Sequence, residues 1–152
     1  MSAEAKLLEL GIVLPAAPAA VGAYVPWVRA GNLIFTSGQL PWHEGKLLYT
    51  GKLGSDVTIE QGQKAARACV INALAQIKSA VADLEKIAQV VRLDGFVHSA
   101  PGFHEHPKVL NGASDFLNEI LGSRGKHART AIGINEMPLN APVQIALIVE
   151  VA

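Results

Sequence analysis

The stretch GSRGKHAR, residues 122–129, gathers Arg124, Lys126, His127 and Arg129 after a helix-like segment and before the strand-like TAIGINEMP. A guanidinium presents a planar fork of donors that fits a carboxylate or phosphate bidentately. Arg129, at the strand start, is therefore the candidate anion clamp. The competing reading is a solvated loop with ordinary surface charges. The loop is not a Walker phosphate cradle, which needs two more spacer residues and a Ser or Thr after the lysine.

Other reactive side chains are weaker candidates. His104-Glu105-His106 places two histidines two apart in a loop, a spacing that matches no zinc pattern, so no metal is expected. Cys69 falls on the apolar face of a helix and reads as a small buried hydrophobe. No G-x-S-x-G elbow occurs. Ser37, in TSGQ, ends a strand either as a simple turn or as a place where the backbone beside Gly38 is open to a ligand. Tyr24 starts a strand after a proline-rich arm, and its hydroxyl is expected to stay wet. Asn111 sits in the first turn of a helix, where asparagine is a mediocre residue and a partner for its amide is expected.

Several elements must position these groups. Residues 1–10 read as a short helix, followed by the connector LPAAPAAVGA, residues 14–23, so that residues 1–23 form an arm on one domain spanning 1–152. AYVPWVRAGNLIFTSGQ reads as two strands around Ala30-Gly31-Asn32, and residues 46–53 as a third. A helix is expected over about 58–81, with Thr58 and Gln61 as a capping box and Ala66, Val70, Ala73, Leu74, Ile77 and Val81 on its apolar face. Strand 90–99 and a helix over about 107–121 follow, the latter with Val109, Ala113, Phe116, Leu117, Ile120 and Leu121 inward and Gly122 as cap. Strands 127–136 and 142–151 close the chain. The class is α+β, with order βββαβαββ and both helices on one face of one sheet. The last strand is apolar on both sides, through Val143, Ile145, Leu147 and Val149 and through Ala146 and Ile148. That predicts oligomerisation through the sheet.

Thirteen basic and thirteen acidic residues balance to zero formal charge, which argues against binding nucleic acid through its phosphates. A single cysteine and the lack of a signal-like or membrane-spanning apolar run point to a cytoplasmic protein.

The motifs YVPWVRAGNLIFTSGQLP, NGASDFL and HARTAIGINEMPLNAPVQIALIVEV, together covering most of Gly11 to Val151, resemble the Rid superfamily, the YjgF-like or endoribonuclease L-PSP-like proteins. The lead sequence and PKVLNGASD suggest a longer branch of it. The resemblance implies a chorismate-mutase-like fold and a homotrimer with inward-facing sheets and clefts between subunits. It implies that Arg129 binds the carboxylate of an imine or enamine acid, that Tyr24, Ser37 and Gly38 line the cleft, and that Asn111 contributes from the second long helix. Two positions depart from the deaminase pattern. Ala131 stands where many relatives carry a cysteine, and Gln144 where a last-strand glutamate is thought to position water.

The expected activity is hydrolysis of a small 2-imino or enamine acid to a 2-keto acid and ammonia. Arg129 would anchor, Tyr24 and the Gly38 backbone would orient, and Gln144, with Asn111, would place water. An imine is already electrophilic, so no cofactor is needed, and positioning supplies much of the rate gain. The alternative is a non-catalytic trimer that binds small carboxylates as a sensor or interaction protein. Ribonuclease activity, suggested by one family name, is disfavoured by the neutral charge.

Overall fold

The computed structural model describes all residues, 1–152. Helix α1 (Ala3–Glu9) is capped by Ser2. It is followed by an arm without regular structure up to strand β1 (Trp27–Ala30), which turns into β2 (Leu33–Thr36). Gly31 supplies the turn at φ +61°, a left-handed conformation that side chains other than those of Gly, Asn and Asp rarely adopt. Strands β3 (Trp42–His43) and β4 (Lys46–Leu47) form a separate two-residue hairpin. Then come α2 (Ile59–Val81), β5 (Ile87–His98), α3 (His106–Leu121), β6 (Ala128–Ile134) and β7 (Val143–Val151).

The main sheet has the order β1-β2-β7-β5-β6. Only β5 and β6 run parallel; the other pairs are antiparallel. That parallel step needs a crossover, and α3 supplies it. Both long helices cover one face. Every apolar position expected on α2 and α3 is buried in the core, together with Leu93, Val97, Val143, Ile145, Leu147 and Val149 of the sheet. The capping box at Thr58 and Gln61 is present in full. Cys69 is wholly buried, and burial pushes its thiol pKa up, so it stays protonated inside the core.

The third strand expected over 46–53 is the main correction. Only Lys46 and Leu47 form a strand, and they pair within the hairpin, not in the main sheet; Leu53 adds an isolated bridge to Ser99. The reason is local. Tyr49 and Gly51 take φ of +92° and +113°, which breaks any strand there. Strand β5 begins earlier than expected, at Ile87.

The sheet face away from the helices is uncovered. Strand register aligns Val28, Phe35, Ile148 and Arg92 in one row, Ala146, Asp94 and Thr130 in the next, and Gln144, Phe96 and Ile132 in a third. Val28, Phe35 and Ile132 are exposed at 53%, 38% and 46%. An apolar rim thus surrounds a polar centre, where Arg92 Nε donates to Asp94 Oδ1 at 2.7 Å and Nη2 donates to Thr130 Oγ1. No helix is long and apolar enough to cross a membrane.

Candidate functional site

Strand β6 is an edge of the sheet, and Arg129 pairs with the wholly buried Leu93 of β5. Its side chain therefore turns to the helix side, onto α3. Nη1 donates to Asn111 Oδ1 at 2.9 Å and to Ser114 Oγ at 3.1 Å, and Nη2 donates to the Pro107 carbonyl at 3.4 Å. A guanidinium has five N–H donors, so the Nε–H and one Nη2–H stay without a partner in the chain. Asn111 and Ser114 are three apart and share a stripe of α3. Ser114 Oγ also lies 2.8 Å from His127 Nε2, and His127 Nδ1 lies 2.6 Å from the Gly125 carbonyl.

The other charges of the cluster separate from Arg129. Arg124 donates to the Ile87 carbonyl at 2.7 Å and reaches Glu85 at 3.3 Å, tying the end of α3 to the start of β5. Lys126 is exposed. His106 is bonded to Ser99 Oγ at 2.9 Å and meets Phe103 edge-on; partial burial, with His104 nearby, lowers its pKa. No group of three or more His, Cys, Asp or Glu side chains converges as a metal site would require.

A second set of candidates lines a cavity of about 320 Å³ at the start of β7, walled by Tyr24, Pro26, Gly38, Trp42, Leu139 and Gln144 among others. Gln144 projects from the open sheet face, being out of phase with the buried Val143 and Ile145. Its amide makes no hydrogen bond within the chain, and the Gly38 N–H and C=O make none either. A Cβ at Gly38 would come within 2.7 Å of Gln144 Cδ, so the unbonded end of that side chain would have to swing aside. The Tyr24 hydroxyl accepts from the Val21 N–H at 3.2 Å, steadying the arm. Ser37 is spent on structure, its hydroxyl donating to the Val25 carbonyl at 2.6 Å. A larger cavity, about 750 Å³, lies under the arm beside Ile71 and Asn72 and contains none of the expected site residues.

The fold thus brings together Arg129 with Asn111, and Tyr24 with Gly38 and Gln144, but does not join the two groups. Strand β5 lies between β6 and β7, and Arg129 and Gln144 leave opposite faces of the sheet. Within one chain a small substrate cannot touch both.

Comparison with known proteins accounts for this arrangement of strands and helices. Residues 4–151 match the family described as "YjgF/chorismate_mutase-like, putative endoribonuclease". The chain belongs to the YjgF/chorismate mutase-like family. Among similar family members, the Protein TCP17 of Trypanosoma cruzi is 42% identical over 147 residues, covering 96% of this chain and 92% of that protein. A 2-iminobutanoate/2-iminopropanoate deaminase of Dermatophagoides farinae is 28% identical, covering 91% and 93%. The crystal structure of Atu1372 from Agrobacterium tumefaciens, a protein of unknown function, superposes with a TM-score of 0.93 at 46% identity, covering 99% of this chain and 92% of that one.

Against the family pattern, Ala131 is half-buried against the core and offers no thiol. Sequence reasoning alone does not reach Ser114, and it offers His127 only as a potential charge. Their signal was present: two polar side chains, Asn111 and Ser114, recur at helical spacing beside the apolar stripe of α3.

Proposed function

We propose that the protein hydrolyses small 2-imino or enamine acids to 2-keto acids and ammonia, as a cytoplasmic homotrimer in which one subunit's Arg129 group completes the Tyr24–Gly38–Gln144 cavity of the next. The observation that carries this reading is the state of Arg129. Three bonds to α3 fix its guanidinium, and the two remaining N–H donors are free to receive a carboxylate. Fixing the fork beforehand lowers the entropic cost of binding. Asn111 Nδ2, which has no partner in the chain, stands beside it as a further donor. The Dermatophagoides farinae relative, a 2-iminobutanoate/2-iminopropanoate deaminase, supports the same substrate class.

In the assembled site the Gly38 backbone orients the substrate nitrogen, Tyr24 closes the cleft, and Gln144 holds water against the C=N carbon. A carboxamide can accept from and donate to that water but cannot take its proton. Gln144→Glu is therefore expected to raise turnover by about 10-fold or more, since a well-placed general base contributes roughly 10²–10⁴-fold. The rate of 2-keto acid formation from 2-aminoacrylate, whose tautomer is 2-iminopropanoate, measures it. An unchanged or lower rate would mean that a missing carboxylate at position 144 does not limit turnover.

Assembly through the open sheet face is tested separately. Phe35 packs on that face and not into the core, so Phe35→Asp should shift the sedimenting mass from three chains to one while leaving the fold intact. A wild-type protein that sediments as one chain would remove the shared site.

A second reading has one observation in its favour, the carboxamide of Gln144 at the water position. On that reading the trimer binds small carboxylates without turning them over. Calorimetric binding of pyruvate with no acceleration of imine hydrolysis would select it.

A further inference from the structure

Beside Arg129 the fold assembles a proton path that the expected mechanism lacks. The Gly125 carbonyl can only accept, so His127 Nδ1, 2.6 Å away, carries a proton. In the neutral ring Nε2 is then the lone-pair nitrogen, and it faces Ser114 Oγ at 2.8 Å. The Arg129 guanidinium can only donate, so its Nη1–H points at the other side of the same oxygen, at 3.1 Å. The Ser114 hydroxyl proton is thereby directed at His127, and negative charge developing on Oγ is met by a cation. Gly125 is packed against the Leu117 backbone with no room for a Cβ, which fixes the carbonyl that selects the tautomer.

We propose that Ser114 is the catalytic proton-transfer group of the Arg129 site and that His127 is the positioning residue and proton reservoir acting through it. The proposal rests on the imine-hydrolase reading and supplies what Gln144 cannot. Water adds to C2 of the Arg129-bound imino acid, forming the C–O bond, while the π pair of C=N moves to nitrogen. The proton that the water loses passes to Ser114 Oγ as the serine proton moves to His127 Nε2. The relay then runs backwards and delivers a proton to nitrogen. Collapse of the carbinolamine forms C=O and breaks C–N, and the hydroxyl proton leaves with the nitrogen. Both water protons end on ammonia, and the enzyme returns to its starting state.

The test compares the wild type, Ser114→Ala, Ser114→Thr and His127→Gln for turnover of 2-aminoacrylate and, independently, for calorimetric binding of pyruvate. Glutamine at position 127 can still accept a hydrogen bond from Ser114 but cannot take its proton. Ser114→Ala and His127→Gln should each lose about 100-fold in kcat, the scale of a lost proton-transfer group. Their pyruvate affinity should stay within about threefold of wild type, consistent with loss of a transition-state interaction alone. Ser114→Thr, which keeps the hydroxyl, should recover most of the rate. Wild-type kcat in Ser114→Ala would overturn the relay and leave imine hydrolysis standing. Parallel loss of pyruvate binding and turnover would reduce Ser114 to a prop for Arg129 and also overturn it. A wild type that binds pyruvate but hydrolyses no imine would overturn relay and hydrolase reading together.

Discussion

Arg129→Ala should weaken pyruvate binding by about 10- to 100-fold, the value of roughly 1.5–3 kcal/mol carried by hydrogen bonds to a charged group. Isothermal calorimetry reads it directly. Stability should change little, because two of the three acceptors released, on Asn111 and Pro107, belong to exposed residues that water can reach. Arg129→Lys should not rescue binding. An ammonium has three donors and no planar fork, so it cannot hold the α3 acceptors and a carboxylate at once. Unaltered affinity in Arg129→Ala would mean that the guanidinium serves only to fasten α3 to the edge strand.

Gly112→Ala should lower stability by about 2 kcal/mol, within the usual range for overpacking, although alanine is the better helix former by roughly 1 kcal/mol. Packing wins because of what the new methyl meets. A Cβ at Gly112 would stand 2.7 Å from Gln63 Cα and 2.8 Å from Gln63 C, which are backbone atoms of α2 that no rotamer change can move. Gln63 also holds the helices together by donating to the Lys108 carbonyl at 2.9 Å. For a chain of this size the melting temperature should fall by roughly 4–8 °C. Because Asn111 and Ser114 lie on either side of Gly112 in the second and third turns of α3, pyruvate affinity should fall with it. A rise in melting temperature would show that the helices separate at little cost.

These two residues also mark how far the sequence could be read. Helical periodicity identified the buried faces of α2 and α3, since one stripe of each must meet the sheet. Thr58 and Gln61 announced the start of α2 through local chemistry alone. The length of the third strand was not legible. It depends on positive φ at Tyr49, a residue type that gives no warning of that conformation. Arg129 was legible as an anion candidate but its partners were not. They arise because α3 crosses over to set β6 parallel to β5, which brings Ser114 and Asn111 across from a strand residue 15 and 18 positions away. Ser37 is read from the sequence through the backbone beside Gly38; its own N–H donates to the Pro26 carbonyl and its hydroxyl to the Val25 carbonyl, whereas the neighbouring Gly38 leaves its backbone unbonded. The separation of Gln144 from Arg129 follows from strand order and side-chain phase, neither of which a list of motifs contains.

The most direct measurement is the decay of 2-aminoacrylate in buffer, with wild-type protein and with Arg129→Ala, followed alongside the appearance of pyruvate and ammonia. The proposed function predicts that wild type accelerates decay well above buffer with matched release of both products, and that Arg129→Ala loses most of that acceleration. Decay at the buffer rate in the presence of wild-type protein, or equal acceleration by Arg129→Ala, would contradict it.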